Sequence, residues 1–201
     1  QFSYLDTMET NTTESFFSDQ FLRSRINDNK PSNDNYDPIF EEGRSESWLQ
    51  LHEGEIKQNN LEYEEDINQY IILMLAEMVN PKSTLLAQQY LVGTNSDAGQ
   101  IAIDLKLQSQ KYKVFRVNAD FLLLHLGLFS SETNILGDKY FDKGGSYYNS
   151  AACSLRNARG GRSGLSDVLE KLSLKFGKYV EILRYMKNQS SNYFSFHFKF
   201  S

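Results

Sequence analysis

Three histidines, His52, His125 and His197, lie far apart along the chain, and no H-x-x-x-H or C-x-x-C spacing occurs, so no metal centre is expected. His125 falls within the apolar run from Phe121 to Phe129. Asp120 and Cys153 come from segments able to pack beside it, and the three together would supply a nucleophile, a base and an orienting carboxylate. A core histidine and a buried structural cysteine account for the same residues, so no catalytic residue is assigned. A second group lies between two helical patterns, where Arg156, Arg159 and Arg162 alternate with Gly160, Gly161 and Gly164. Guanidinium forks, glycine backbone amides and the following helix N-terminus can converge there on a phosphate or carboxylate. A solvated turn explains the same loop and is the preferred reading. The phosphate-loop spacing G-x-x-x-x-G-K-[ST] is absent, so neither a nucleotide signature nor a cofactor is expected.

Aromatic side chains form the other conspicuous set. Phe16, Phe17 and Phe21, with Leu22 and Ile26, make a stripe at helical spacing over Thr13 to Ile26. Such a stripe either docks into a partner's groove or packs on its own domain, and the second reading is preferred. Trp48, the only tryptophan, anchors the polar stretch around it to a core or to a partner. Phe194, Phe196, Phe198 and Phe200 alternate with Ser195, His197 and Lys199, as in a strand with one aromatic face. That face requires cover from the domain or from another chain.

The elements that would hold these residues are mostly helical. Glu62, Glu64, Glu65 and Asp66 precede Ile67, Tyr70, Ile71, Met74, Leu75 and Met78 at spacings of three and four, which predicts a helix stopped at Asn80-Pro81. A shorter helix is predicted from Ser83 to Gly93. Between Ile101 and Val117 the alternation of Ile101, Ile103, Leu105 and Leu107, followed by Tyr112 to Val117, predicts strand. Two buried helices facing each other are expected over Val117 to Leu155, the first capped by Asn118. The second sets Gly144, Gly145, Ser146, Ala151 and Ala152 among Tyr140, Phe141, Tyr147 and Tyr148, which allows close helix approach with rings filling the remainder. One long helix from Gly164 to Lys187 buries Leu165, Leu169, Leu172, Phe176, Val180 and Leu183 and leaves Lys171, Lys175, Lys178 and Arg184 outside.

The run Ala119-Asp120-Phe121-Leu122-Leu123-Leu124, then Gly127 and Phe129, then Lys143-Gly144-Gly145-Ser146-Tyr147-Tyr148 and Ala151, then Leu169, Leu172-Ser173 and Phe176, resembles a family of small, mostly helical bacterial proteins without an assigned activity. The resemblance spans 61–187 and implies a helical domain; it implies no catalytic residue, substrate or cofactor. Ala119 stands where that family has glycine, and Ser130-Ser131 where it has a proline-containing turn.

With 201 residues, 40% of them hydrophobic, the chain holds enough material for one domain and tails. A net charge of −5 and a pI near 5.3 give no global attraction to nucleic acid or anionic membranes, and no dedicated nucleic-acid surface is expected. No apolar run is long enough to cross a bilayer. The lone Cys153 fits a reducing compartment, so a cytoplasmic location is expected; Gln1 at the start and the aromatic end leave a secreted or outer-membrane location as a third reading. The expected architecture is a mainly α single helical domain over 61–190, with a small β element from 101–117 and 193–200. A polar N-terminal arm, 1–60, and the Phe-rich terminal stretch, 191–201, flank it. The expected function is a non-catalytic interaction or assembly subunit that binds a protein partner through Phe16, Phe17, Phe21, Trp48, Phe194, Phe196, Phe198 and Phe200. The alternative is an anion-binding or enzymatic domain using Arg156, Arg159, Arg162, Gly160 and Gly161.

Overall fold

The computed structural model describes residues 2–27, 64–92, 96–129 and 137–189. Among these residues the regular elements are helices: α1 (Phe2–Asn27), α2 (Glu65–Met78), α3 (Pro81–Gln88), α4 (Ala98–Asp104), α5 (Gln108–Leu124) with a π-helical turn (His125–Phe129), α6 (Gly137–Arg159), α7 (Gly164–Leu174) and α8 (Phe176–Gln189). The chain is therefore mainly α, around one core to which every long helix contributes.

The close pair foreseen around 117–155 is α5 against α6, the most extensive helix contact in the fold. Val114, Asn118 and Leu122, with Ala119 and Leu123, bury one face of α5. Gly144 and Gly145 bring α6 onto the junction of α7 and α8. A β-carbon at Gly145 would stand 2.9 Å from the Ser173 carbonyl oxygen, and one at Gly144 would enter the Phe176 ring. Phe176 itself is wedged edge-on against Phe141 and tilted against Tyr148. At its far end α6 closes on Gly160, whose φ of 71° suits glycine, while the Gly161 amide donates back to the Arg156 carbonyl. Ser163 and Ser166 then cap α7 reciprocally.

Four local expectations need correction. The strand over 101–117 is helix: Asp97 caps α4 by accepting from the Gly99 amide, and α5 runs unbroken from Gln108. The alternating aliphatics do not mark a buried sheet face, because Ala102 is buried while Ile101 and Ile103 face solvent; packing against α6 overrides the β propensity of Tyr112 to Val117. Asn118 does not cap a helix but lies buried in the middle of α5. α3 begins at Pro81 with Asn80 as its cap, two residues before the expected Ser83. The long helix after Gly164 is broken at Lys175, whose backbone departs from helical geometry between α7 and α8.

The boundary at residue 60 also shifts. α1 belongs to the core, with Phe17 and Phe21 fully buried against α2 and α8 and Phe16 packed beside them. Packing on its own domain was the preferred reading of this stripe, and its burial withdraws Phe17 and Phe21 from any partner surface. Trp48 and Phe194, Phe196, Phe198 and Phe200 lie outside the described residues, as does the expected strand over 193–200.

Candidate functional site

The densest group of charged side chains is internal. Arg25, on the buried face of α1 one turn beyond Phe21, is 0% exposed together with Glu64, which stands one residue before α2. Arg25 donates to Glu64 and to Asn68 of α2, and its guanidinium lies over the Tyr179 ring at 5.5 Å. From α8 Tyr179 donates its hydroxyl to Glu64 at 2.9 Å and Lys178 approaches the same carboxylate at 3.2 Å, while Lys175 donates to it from the α7–α8 break. Lys175 and Lys178 therefore do not stay outside. Lys175 is buried at the break between α7 and α8, where its ammonium meets Glu64. The cluster ties α1, the start of α2, and α8 at one point and fixes their register.

Burial works to raise the Glu64 carboxyl, but the Lys175 bond and the charges of Lys178, Lys175 and Arg25 outweigh it and hold the group down to about 2. Its ordinary value is 4.5, so its stabilisation is complete above that pH and is lost as pH falls from 4.5 towards 2. Burial, and then crowding by Arg25 and Lys175, bring Lys178 down from 10.5 to about 8 against the pull of Glu64. The folded state therefore binds fewer protons than the unfolded chain between these values, and the Lys178 contribution to stability rises with pH from 8 to 10.5. Thermal melts between pH 6 and pH 2 are expected to show wild type losing stability more steeply than Glu64→Gln. Parallel curves would contradict this.

A second, half-buried group centres on Asp120. Tyr70 of α2 and Tyr148 of α6 both donate to its Oδ1, at 2.7 and 2.8 Å, and Arg116 stands 3.4 Å from Oδ2. Arg116 also donates to the Tyr70 hydroxyl at 3.2 Å and reaches towards Glu77 at the surface. Burial pushes the Asp120 carboxyl up despite these donors, and burial with the adjacent carboxylate pushes both tyrosines well above their usual range. Each oxygen of Asp120 faces a partner from its own chain, so the carboxylate joins three helices. Close by, the Asn118 side chain accepts from the Val92 amide and donates to the Tyr90 carbonyl, holding 90–92 against α5. Tyr147 links α6 to α4 in the same manner, accepting from the Ala98 amide and donating to Asp97 at 2.8 Å.

The residues singled out for chemistry are not brought together. His125 stacks on Phe121 at the start of the π-helical turn, where burial lowers its pKa. Asp120 is engaged by its tyrosines, and Cys153 is exposed on α6 beside Arg156. The expectation of a buried cysteine is thus corrected: residue 153 falls on the outer face of α6, between buried Ala152 and Ser154. The arginine loop is also internally engaged. Arg156 pairs with Glu170 at 2.7 Å, and Arg162 pairs with Asp167 at 3.0 Å and with Glu170 at 3.2 Å, while Arg159 remains exposed. The Gly161 amide closes α6 and the Ser163 amide donates to Ser166. Donors that an anion would need at Arg156, Arg162, Gly160 and Gly161 are largely committed to α6 and α7.

What remains unsatisfied is apolar and exposed. Seven large hydrophobic side chains among the described residues face solvent, and six of them, Leu73, Leu85, Leu91, Ile101, Ile103 and Leu107, fall in one stretch of chain. Ile103 is 76% exposed. Asn118, in the second half of α5, holds 90–92, and α4 joins α5 through the link 105–107 and packs against it. Periodicity marked Ile101, Ile103 and Leu107 as apolar but assigned them to a sheet, and for that reason sequence reasoning missed them as a surface. No known protein family, curated protein or solved structure matches the chain. No group of metal-binding side chains occurs among the described residues, and no described helix is long and apolar enough to cross a membrane.

Proposed function

We propose that this chain is a non-catalytic interaction or assembly subunit whose partner contact includes the exposed aliphatic side chains of α4 and the 105–107 link. The observation that carries the reading is the exposure of Ile101, Ile103 and Leu107 within seven residues. Leaving such side chains in water forgoes roughly 1.5–3 kcal/mol for each that a contact would fully bury, and clustered exposure of this kind marks interaction surfaces. Support also comes from the internal carboxylates, since Glu64 and Asp120 direct their oxygens to partners from their own chain.

α4 is positioned to present this surface. Asp97 caps it, Tyr147 holds its first amide, and Lys143 donates to the Ser96 carbonyl at 2.7 Å. Ile103→Glu places a charge at the most exposed of these side chains without entering the core, so its expected effect on folding is within about 0.5 kcal/mol. Its expected effect on co-purification of a partner from the source cells is a loss of tenfold or more, measured by quantitative mass spectrometry on the tagged full chain. Equal recovery with wild type and variant would overturn the reading.

A further inference from the structure

Around Glu64 we infer a covalent site: the Lys178 amine takes up carbon dioxide and holds it as a carbamate. Three cations share this carboxylate, and they are not equivalent. The Arg25 and Lys175 side chains are 0% and 4% exposed, whereas Lys178 is 11% exposed and follows part-exposed Gly177 on α8. Its nitrogen lies 3.3 and 3.2 Å from the two Glu64 oxygens. The neighbouring polar groups are Tyr179, which donates to Glu64, and Asp66, which pairs with Lys171 at 2.9 Å. A lysine crowded by other cations yields its proton readily and becomes a nucleophile. Lys178 combines that crowding with the most open edge of the three, and the fall of its ammonium to about 8 agrees.

Carbon dioxide suits the site by size and by charge. It is small enough to reach an amine that has little more than its edge in solvent. After the ammonium gives one proton to water, the nitrogen lone pair attacks the carbon. A nitrogen–carbon bond forms, one carbon–oxygen π bond opens onto oxygen, and a second proton leaves the nitrogen for water. A cation thereby becomes an anion, with no oxidant and no leaving group. The carbamate presents two acceptor oxygens to a group in which Arg25 and Lys175 already donate to Glu64, so that among these four side chains two cations face two anions. An acyl group would be larger and would leave a neutral amide facing the same cations.

The test equilibrates the full chain with carbon-13-labelled bicarbonate near pH 8, where the Lys178 amine is about half free, and reads carbamate by carbon-13 NMR. Trapping with an alkyl oxonium reagent, followed by peptide mass spectrometry, places the adduct. The expected result is an adduct at Lys178 at about tenfold or more the level at exposed Lys82 of α3, because an ordinary lysine is protonated at that pH. At constant dissolved carbon dioxide the Lys178 adduct is expected to fall steeply as pH drops below 8 and the amine takes its proton. Lys178→Arg, which keeps the charge, is expected to abolish that adduct while retaining the helical circular dichroism. If the variant loses its helical signal, the ratio of trapped peptides in wild type decides the matter alone. No adduct at Lys178, or one no greater than at Lys82, would overturn the inference. Acetic anhydride labelling of Lys178 without any carbamate there would overturn it as well, since the amine would then be reactive without retaining carbon dioxide.

Discussion

Glu64→Ala is expected to destabilise the protein by about 3–5 kcal/mol, the range for removing one member of a buried ion cluster. The carboxylate is fully buried and shared by Arg25, Lys175, Lys178 and Tyr179. Its loss leaves those donors facing one another in a poorly solvated space, which costs more than the lost attraction itself. Because Arg25 rides on α1, the first structural consequence is detachment of that helix and exposure of the surface under Phe17 and Phe21. Urea titration monitored by circular dichroism reads the stability, and hydrogen exchange over α1 reads the detachment. The exposed pair of Arg23 and Asp19, on the same helix, is the control, and Asp19→Ala is expected to cost below about 1 kcal/mol. If Glu64→Ala behaved like Asp19→Ala, the buried cluster would not be what holds α1.

Gly144→Ala is the second large effect, and its sign opposes helix propensity. In an open helix interior the change gains roughly 0.5–1 kcal/mol. Here the new methyl meets the Phe176 ring, which Phe141 and Tyr148 hold in place, and neighbouring Gly145 lies against the Ser173 backbone. Overpacking of this kind costs typically about 1–3 kcal/mol and more where the neighbour cannot yield. The expected net is a loss of at least about 1 kcal/mol, partly restored when Phe176→Leu is combined with it. A stabilised Gly144→Ala protein would show that α6 does not approach the α7–α8 junction this closely.

These two sites differ in how far they could be read from the chain. Gly144 and Gly145 beside Tyr147 and Tyr148 announce a close helix contact through residue size alone, and the partner proved to be the junction of α7 and α8. The Glu64 cluster was not legible, because its members are separated by up to 154 residues and Arg25, Glu64, Lys175 and Lys178 each carry a charge that local pattern assigns to solvent. Lys175 and Lys178 look like the outer face of an amphipathic helix until the carboxylate that receives them is located. The 101–117 region misled for a different reason. Its period of two comes largely from Ile101, Ile103 and Leu107, which lie on the surface, and periodicity cannot distinguish a residue buried by a sheet from one left in solvent. Asn118 was likewise read as a cap from its type and position, whereas its amide serves the neighbouring 90–92 segment.

The account rests most heavily on the surface around Ile103, and size-exclusion chromatography with light scattering addresses it directly. The full chain, purified gently from its own cells, would be run beside Ile103→Glu prepared in the same way. Wild type is predicted to emerge as an assembly larger than one chain, and the variant at the mass of a single chain with the same helical circular dichroism. Two proteins that both run as single chains at every concentration tested would contradict the account.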